Sequence, residues 1–435
     1  MKNESNKVIN AWCMYDWANS AYSLVITSTI FPVYYATVTR GAYGNDMVDF
    51  FGIPLTNTVL YSWSISLSFL LVAILSPLLS GIADYSGQKK TFMRFFTYMG
   101  SIACCGLYFF EGENIEYGII CSILASIGYS GSLVFYNAFL PEITSPDRYD
   151  VVSAKGYSYG YIGSVILLVI SLAMVISPAS FGIPTEGIAT KISFLMVGFW
   201  WFAFAQVTFY FLPNNGFNKQ PHGSILRKGY LEIRYVWQKV QKLHMLKRFL
   251  ISFFFYSVGV QTVMYLAATF GDKELRLPAD KLILTILIIQ LVAIGGSYLF
   301  AWISGKKGNK FSLMMMVLIW VFICFYAYFV TTASQFYILA FIVGLVMGGI
   351  QSLSRSTYSK LIPEDTTDHA SYFSFFDVVD KMAIVLGTFS YGLIEQMTGS
   401  MRNSTVALAL FFLVGFYFLL RVTIPLKKGI KMVKI

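Results

Sequence analysis

ISLSFLLVAILSPLLSGIADYSGQKK, residues 65–90, decides the fold. No charged residue appears before Asp84, and the segment then closes on Lys89 and Lys90. A helix on the surface of a soluble protein would show a charged or polar stripe every three or four residues. Here the apolar run is continuous, so the surrounding solvent is lipid, whose core takes about 20 such residues to cross. Runs 162–176 and 405–420 are likewise uncharged, and only 12% of the 435 residues are charged. Soluble domains carry about 25%.

The rest of the composition removes several classes. Cys13, Cys104, Cys105, Cys121 and Cys324 all fall in apolar segments without paired ligand spacing, which reads them as small hydrophobes. His222, His244 and His369 lie in polar connections, so no histidine metal centre and no cofactor is expected. The first ten residues are polar, and the apolar stretch after them is too long for a signal peptide, so no cleaved segment is expected. A net charge of +10 invites nucleic acid, but its distribution points elsewhere.

Apolar length set against polar breaks predicts twelve transmembrane helices near 12–38, 57–80, 91–110, 115–140, 153–177, 190–212, 249–270, 281–303, 311–331, 334–362, 370–397 and 402–424. The tenth is long enough to bend at its glycines or to protrude. An even number puts both termini on one side, where 25 Lys and Arg fall against six on the other, with Lys381 inside a span. The positive-inside rule makes that side cytoplasmic. The bias accounts for the basic charge, and nucleic acid is not needed.

The longest connection divides the chain into an N-terminal six-helix bundle (1–212), a basic cytoplasmic linker (213–248) and a C-terminal six-helix bundle (249–435). Within the linker, Leu226, Tyr230, Ile233, Trp237 and Val240 recur at helical spacing between Arg and Lys, a pattern that suits a helix on an anionic leaflet. A calmodulin-type target is the alternative. The halves echo each other. GQKK (87–90) answers GNKF (308–311), and YNAFLPEIT (136–144) answers YSKLIPEDT (358–366), at offsets of 221 and 222 residues. Duplicated six-helix bundles are a transporter architecture.

GIADYSGQKK (81–90), between the second and third spans, resembles the loop signature of the major facilitator superfamily. In that resemblance Gly81 permits close helix approach, Gly87 a tight turn, and Asp84 a latch onto a helix N-terminus or a basic partner from the other half, with Lys89 and Lys90 completing the cytoplasmic gating motif. The second copy departs from it, with Gly305 standing where the aspartate would be. Within the superfamily the chain is similar to the "unknown major facilitator" family, related to autophagy-linked vacuolar amino-acid effluxers. The similarity lies in AWCMYDWANSAY (11–22), YNAFLPEI (136–143), GFWW (198–201), GGIQSLSRSTYSKLIPE (348–364) and DKMAIVLG (380–387), whereas the seventh span is less typical. It implies secondary transport of small solutes, amino-acid export among them.

The polar residues inside spans are the candidate site. Asp16, Asn19, Ser20, Ser23 and Thr27 share an arc of about 100° on an α-helix. They face either a wet cavity or another helix, as glue. Gly344, Gly348, Gln351 and Arg355 share a face of the tenth span. Arg355 lies roughly 12 Å inward of Pro363 at about 1.5 Å per residue. It either snorkels to the surface or serves as a fixed cation for a carboxylate or phosphate. In SYFSFFDVVDKMAIVLGTFSYGLI (371–394), Asp377, Asp380 and Lys381 again share one arc. Asp377 and Lys381, at i and i+4, can pair, and Arg355 is the expected counter-charge for the remaining carboxylate. A lone charge at a helix centre costs about 2.5–3.5 kcal/mol on insertion scales. Either alternating ion pairs, tied to proton binding, or a purely structural network accounts for the cluster.

Asn137 and Gln261 are candidate cavity amides, and Glu142 is either a coupling acid or a solvated loop residue. Trp200 and Trp201 read as helix anchors. The expectation is therefore an all-α, multi-pass, twelve-helix carrier of the bacterial cytoplasmic membrane, not an enzyme. It acts as a monomer on a small polar or amphiphilic solute by alternating access, with protons as the coupling ion. A receptor or scaffold, and a membrane enzyme, are the competing classes.

Overall fold

The computed structural model describes residues 5–213 and 225–424. Of the features read above, Lys2, His222, linker residues 214–224, the side chain of Leu226 and the lysines after Arg421 lie outside the described residues. Helix α1 (Asn6–Ala21) continues through a π-helical segment (Tyr22–Ile30) into α2 (Phe31–Tyr43), and a two-stranded hairpin follows, β1 (Met47–Phe50) and β2 (Ile53–Thr56). Then come α3 (Asn57–Ser86), α4 (Lys89–Gly106), α5 (Ile115–Ala138), the single turn α6 (Leu140–Ile143), α7 (Tyr149–Ile176) and α8 (Glu186–Phe211). The remainder is α9 (Ile225–Lys242), α10 (His244–Leu275), α11 (Ala279–Lys307), α12 (Asn309–Phe329), α13 (Ala333–Leu361), α14 (His369–Thr398) and α15 (Met401–Leu420).

A long helix stands at every expected span, and among the described residues ten are long and apolar enough to cross a membrane. The other two carry their charge inside the helix: Lys89, Lys90 and Arg94 open α4, and Asp377, Asp380 and Lys381 sit mid-way along α14. Helix ends follow local chemistry. Thr332 and Gln335 form a capping box at the start of α13, and left-handed Gly87 (φ 70°) stops α3. The hairpin between α2 and α3 was not foreseen. Its turn residues Phe51 and Gly52 both take positive φ (51° and 81°), as a type I′ turn requires.

Contacts gather the chain into two compact units, one of residues 6–137 with 159–213 and 225–233, the other of residue 5 and 138–158 with 234–424. The first has Trp12, Tyr15, Phe31, Tyr136 and Trp201 at its core. Trp201, expected as a helix anchor, is instead wholly buried, its ring lying where a Cβ on Gly100 would be. The second buries Trp320, Tyr256, Tyr358 and Arg355. There α13 is one unbroken helix lying directly on α11, since a Cβ on Gly348 would collide with the Ala293 carbonyl oxygen. Small residues that let backbones touch are the usual means of joining helices in lipid.

Candidate functional site

The middle of α14, in the second unit, carries three charged residues within five positions. The Lys381 Nζ lies 3.3 Å from Asp377 Oδ1 and 3.5 Å from Asp380 Oδ2. Asp377 and Lys381 are buried, 7% and 5% exposed, and Asp380 is half-buried. From α10, Gln261 Nε2 donates to Asp380 Oδ1 at 2.8 Å. The amide thus joins a cluster that the i, i+3, i+4 spacing already implied. Asp377 Oδ2 has no hydrogen-bond partner among the described residues. Two acids and one base leave one excess negative charge when all are ionised. A proton or a cationic group would relieve it. Gln351, on α13, donates to Met264 Sδ on α10.

Arg355, the expected counter-charge, is 1% exposed, so its head does not snorkel to water. Its described contacts run to α7: Nε donates to Ser153 Oγ at 2.9 Å, an Nη to the Ser153 carbonyl at 2.9 Å, and the guanidinium lies 4.3 Å from the Tyr157 ring centre. One turn before Ser153 on α7, Asp150 opens a cluster the sequence reading missed. Asp150 Oδ1 accepts from Asn309 Nδ2 (2.7 Å), and Asp150 Oδ2 accepts from Lys360 Nζ (2.7 Å) and Ser304 Oγ (3.0 Å). Lys360 also donates to Asn309 Oδ1 at 2.7 Å. Asn309 belongs to the second copy of the loop, the copy without an aspartate. The acid missing at Gly305 is supplied by the start of α7, and asking what replaces it was the signal that could have found Asp150.

In the first unit, Asp16 Oδ2 accepts from Tyr136 Oη at 2.7 Å, and the Trp12 ring stacks on Tyr136 at 4.5 Å while its Nε1 donates to the Tyr136 carbonyl. Asn19 is buried, and its Nδ2 has no hydrogen-bond partner among the described residues. Ser20 packs against Gly160 of α7, and Asn137 is half-buried on α5. The π-helical segment changes the predicted stripe. Ser28 and Thr29 hydroxyls bond carbonyls five residues back, at 2.8 and 2.7 Å. Each residue of this wider turn advances less than the α-helical 100°, so Thr27 drifts off the line of Asp16, Asn19 and Ser20.

The first loop, residues 81–90, has described contacts within itself, to Leu212 and to α9. Asp84 pairs with Lys89 at 3.5 Å, both buried, and Lys90 Nζ donates to the Leu212 carbonyl at 2.8 Å. The close approach at Gly81 is to α9: a Cβ there would fall 2.5 Å from the Gly229 carbonyl oxygen. A small apolar cleft in the second unit, between Leu266, Phe270, Phe336 and Tyr391, includes none of the charged candidates.

A family model described as "Vacuole effluxer Atg22 like" matches residues 4–433. The chain belongs to that family. The uncharacterised MFS-type transporter YxiO of Bacillus subtilis is 31% identical over 419 residues, 95% of this chain and 94% of that one. Autophagy-related protein 22 of Saccharomyces cerevisiae is 24% identical over 412 residues, 81% of this chain and 75% of that one. Among solved structures the human organic anion transporter MFSD10 superposes with a TM-score of 0.73 at 12% identity, covering 95% and 99% of the two chains. The transporter FucP in the outward conformation gives 0.69 at 11%, covering 96% and 98%. This Atg22-like chain is a multi-pass, all-α major facilitator transporter. The segments that carried the resemblance meet in space: Trp12, Tyr15 and Asp16 of the first close on Tyr136 of the second, and Trp200 stacks on Trp17 at 5.6 Å.

Proposed function

We propose that this Atg22-like transporter is a secondary carrier that moves a small polar or amphiphilic solute, amino acids among them, by alternating access coupled to protons. In this reading the chain crosses the bacterial cytoplasmic membrane twelve times, with both termini and the linker cytoplasmic, as a monomer of two six-helix halves. The 25-to-6 bias of basic residues supports that orientation. Export is the favoured direction, in keeping with the effluxer description of the family.

One observation carries the proposal: Lys381 is shared between Asp377 and Asp380, and the second oxygen of Asp377, inside a span, has no hydrogen-bond partner among the described residues. Charge of this kind in a membrane helix marks solute and proton pathways. Asp377 takes and releases the coupling proton, and Lys381 changes its partner as it does so. Gln261, Gln351 and Arg355 in one half, with Asp16, Asn19, Ser20 and Asn137 in the other, contribute polar groups to the pathway, and the buried amide of Asn19 is the most available of these. Gly81, Asp84, Gly87, Lys89 and Lys90 form the gating motif.

The test is reconstitution into liposomes with an imposed pH gradient and a panel of labelled amino acids, peptides and drugs. Asp377→Asn and Lys381→Met abolish gradient-driven flux while counterflow of the same solute persists. Unchanged flux in both variants would refute proton coupling through this cluster. Asp84→Ala slows the cycle, and a wild-type rate would remove the latch.

A further inference from the structure

We infer that the outward face of α9 is a docking surface for anionic phospholipid headgroups. The helix has two faces with different duties. Gly229, Val236 and Val240 are buried, and Gly229 sits against Leu78 and Ile82 of α3. In the second unit Trp237 rests on Phe375 of α14 at 5.2 Å. Two lysines are used inward: Lys228 Nζ donates to Tyr85 Oη at 2.7 Å, and Lys239 lies 3.8 Å from Asp368.

The opposite face is turned outward. Tyr230, Leu231 and Tyr235 are each about half exposed, and Arg227, Arg234, Gln238 and Lys242 stand exposed between them. On a helical wheel Arg227, Leu231, Arg234, Gln238 and Lys242 form the centre of this face, with Tyr230 and Tyr235 at its edges. Between Ile225 and Lys242 there are five basic residues and one acid, Glu232. Large aromatic and aliphatic side chains held in water are unfavourable, and cations among them fit a negatively charged, partly apolar boundary.

The place of α9 in the chain supplies that boundary. Only Leu243 separates it from α10 (His244–Leu275), one of the ten apolar spans. Its other turns touch α3 at Gly81, five residues before that span ends at Ser86. A helix that runs through a single residue into the end of a membrane span lies at the bilayer surface. Tyr and Trp suit the headgroup layer, and Arg and Lys pair with lipid phosphates. Leu231, on the face away from the protein body, is the residue that enters the layer.

The experiment places a spin label at Leu231→Cys in the full chain, where the native cysteines are buried or half-buried. The protein is embedded in bilayers of phosphatidylcholine alone or with phosphatidylglycerol. The label gains oxygen collisions and loses collisions with aqueous nickel when phosphatidylglycerol is present. Each basic residue at such a surface strengthens association about fivefold. Arg227→Glu with Arg234→Glu and Lys242→Glu therefore removes the response to phosphatidylglycerol. The lipid comparison on the labelled chain alone already decides the question, whatever the triple variant does to folding. A label equally water-exposed in both bilayers would overturn the inference in favour of another partner. One equally immersed in both would overturn it in favour of apolar contact without headgroup recognition.

Discussion

Asp150 and Asp377 are both buried carboxylates with a lysine partner, yet their surroundings differ in every other respect. Asp150 draws donors from three further helices, and both of its oxygens are used, by Asn309, Lys360 and Ser304. Its charge is matched one to one. Asp377 takes its lysine from the next turn of its own helix and shares it with Asp380, and one oxygen has no described hydrogen-bond donor. A saturated, non-local network fixes a single arrangement, because removing any member strands the others in a low dielectric. An undersupplied local one has more than one acceptable arrangement, which is what a group that exchanges protons needs. On this contrast we propose that the first serves stability and the second transport.

The sharpest way to break that contrast is Asp150→Ala. Stranding Lys360 and Asn309 should cost about 3–5 kcal/mol, read as a lower unfolding midpoint of the detergent-solubilised protein. In the double variant with Lys360→Met the loss should be smaller than the sum of the two singles, because they act on one pair. Full stability with lost flux would move Asp150 into the transport cluster. Next in size is Gln261→Leu, which takes a donor from Asp380 and should cost about 1–3 kcal/mol, with a weaker dependence of flux on the pH gradient. Insensitivity of both would remove Gln261 from the cluster. Asp377→Asn should change stability by less than about 1 kcal/mol, in either direction, because it removes an uncompensated charge. Its gradient-driven flux should nevertheless disappear, and a stability loss as large as that of Asp150→Ala would erase the distinction.

The smallest effect belongs to an exposed pair that serves as a baseline. Lys191 hydrogen-bonds Glu111 at 2.6 Å and holds its carboxyl below the ordinary glutamate value of 4.5. The folded state therefore favours the carboxylate. The pair's contribution is present above about pH 4.5 and is lost as the pH falls through the lowered folded value. Lys191→Ala should remove this dependence in acid unfolding curves and leave the neutral-pH midpoint nearly unchanged, since solvent screens such pairs. A large shift at neutral pH would mean that exposed charge matters here as much as buried charge.

The two clusters also differ in how far they could be read from the chain. Asp377 and Lys381 are four residues apart, so helical geometry alone predicts their pairing. Gln261 lies 119 residues from Asp380 and could only be proposed as an amide in a span. Ser153, the described partner of Arg355, is 202 residues away, and Asp150 is 210 from Lys360. No periodicity reports such distances. The π-helical turn was hidden for a different reason: a run of Ser, Thr and β-branched residues is compatible with either helix, and the surroundings choose. Phe51, at positive φ, conceals the hairpin because a bulky residue rarely marks such a turn.

The amino-acid order by itself determined that this chain lives in lipid, where its helices stand, and that α14 carries a local charge triad. These follow from short-range rules, namely the burial of apolar runs in a hydrocarbon layer and the fixed pitch of a helix. Only the tertiary structure decided that Asp150 replaces the acid missing from the second loop, that Arg355 is held by Ser153, and which side of α9 faces outward. Those outcomes depend on which distant backbones come within hydrogen-bonding range, and that is set by the packing of all the helices together.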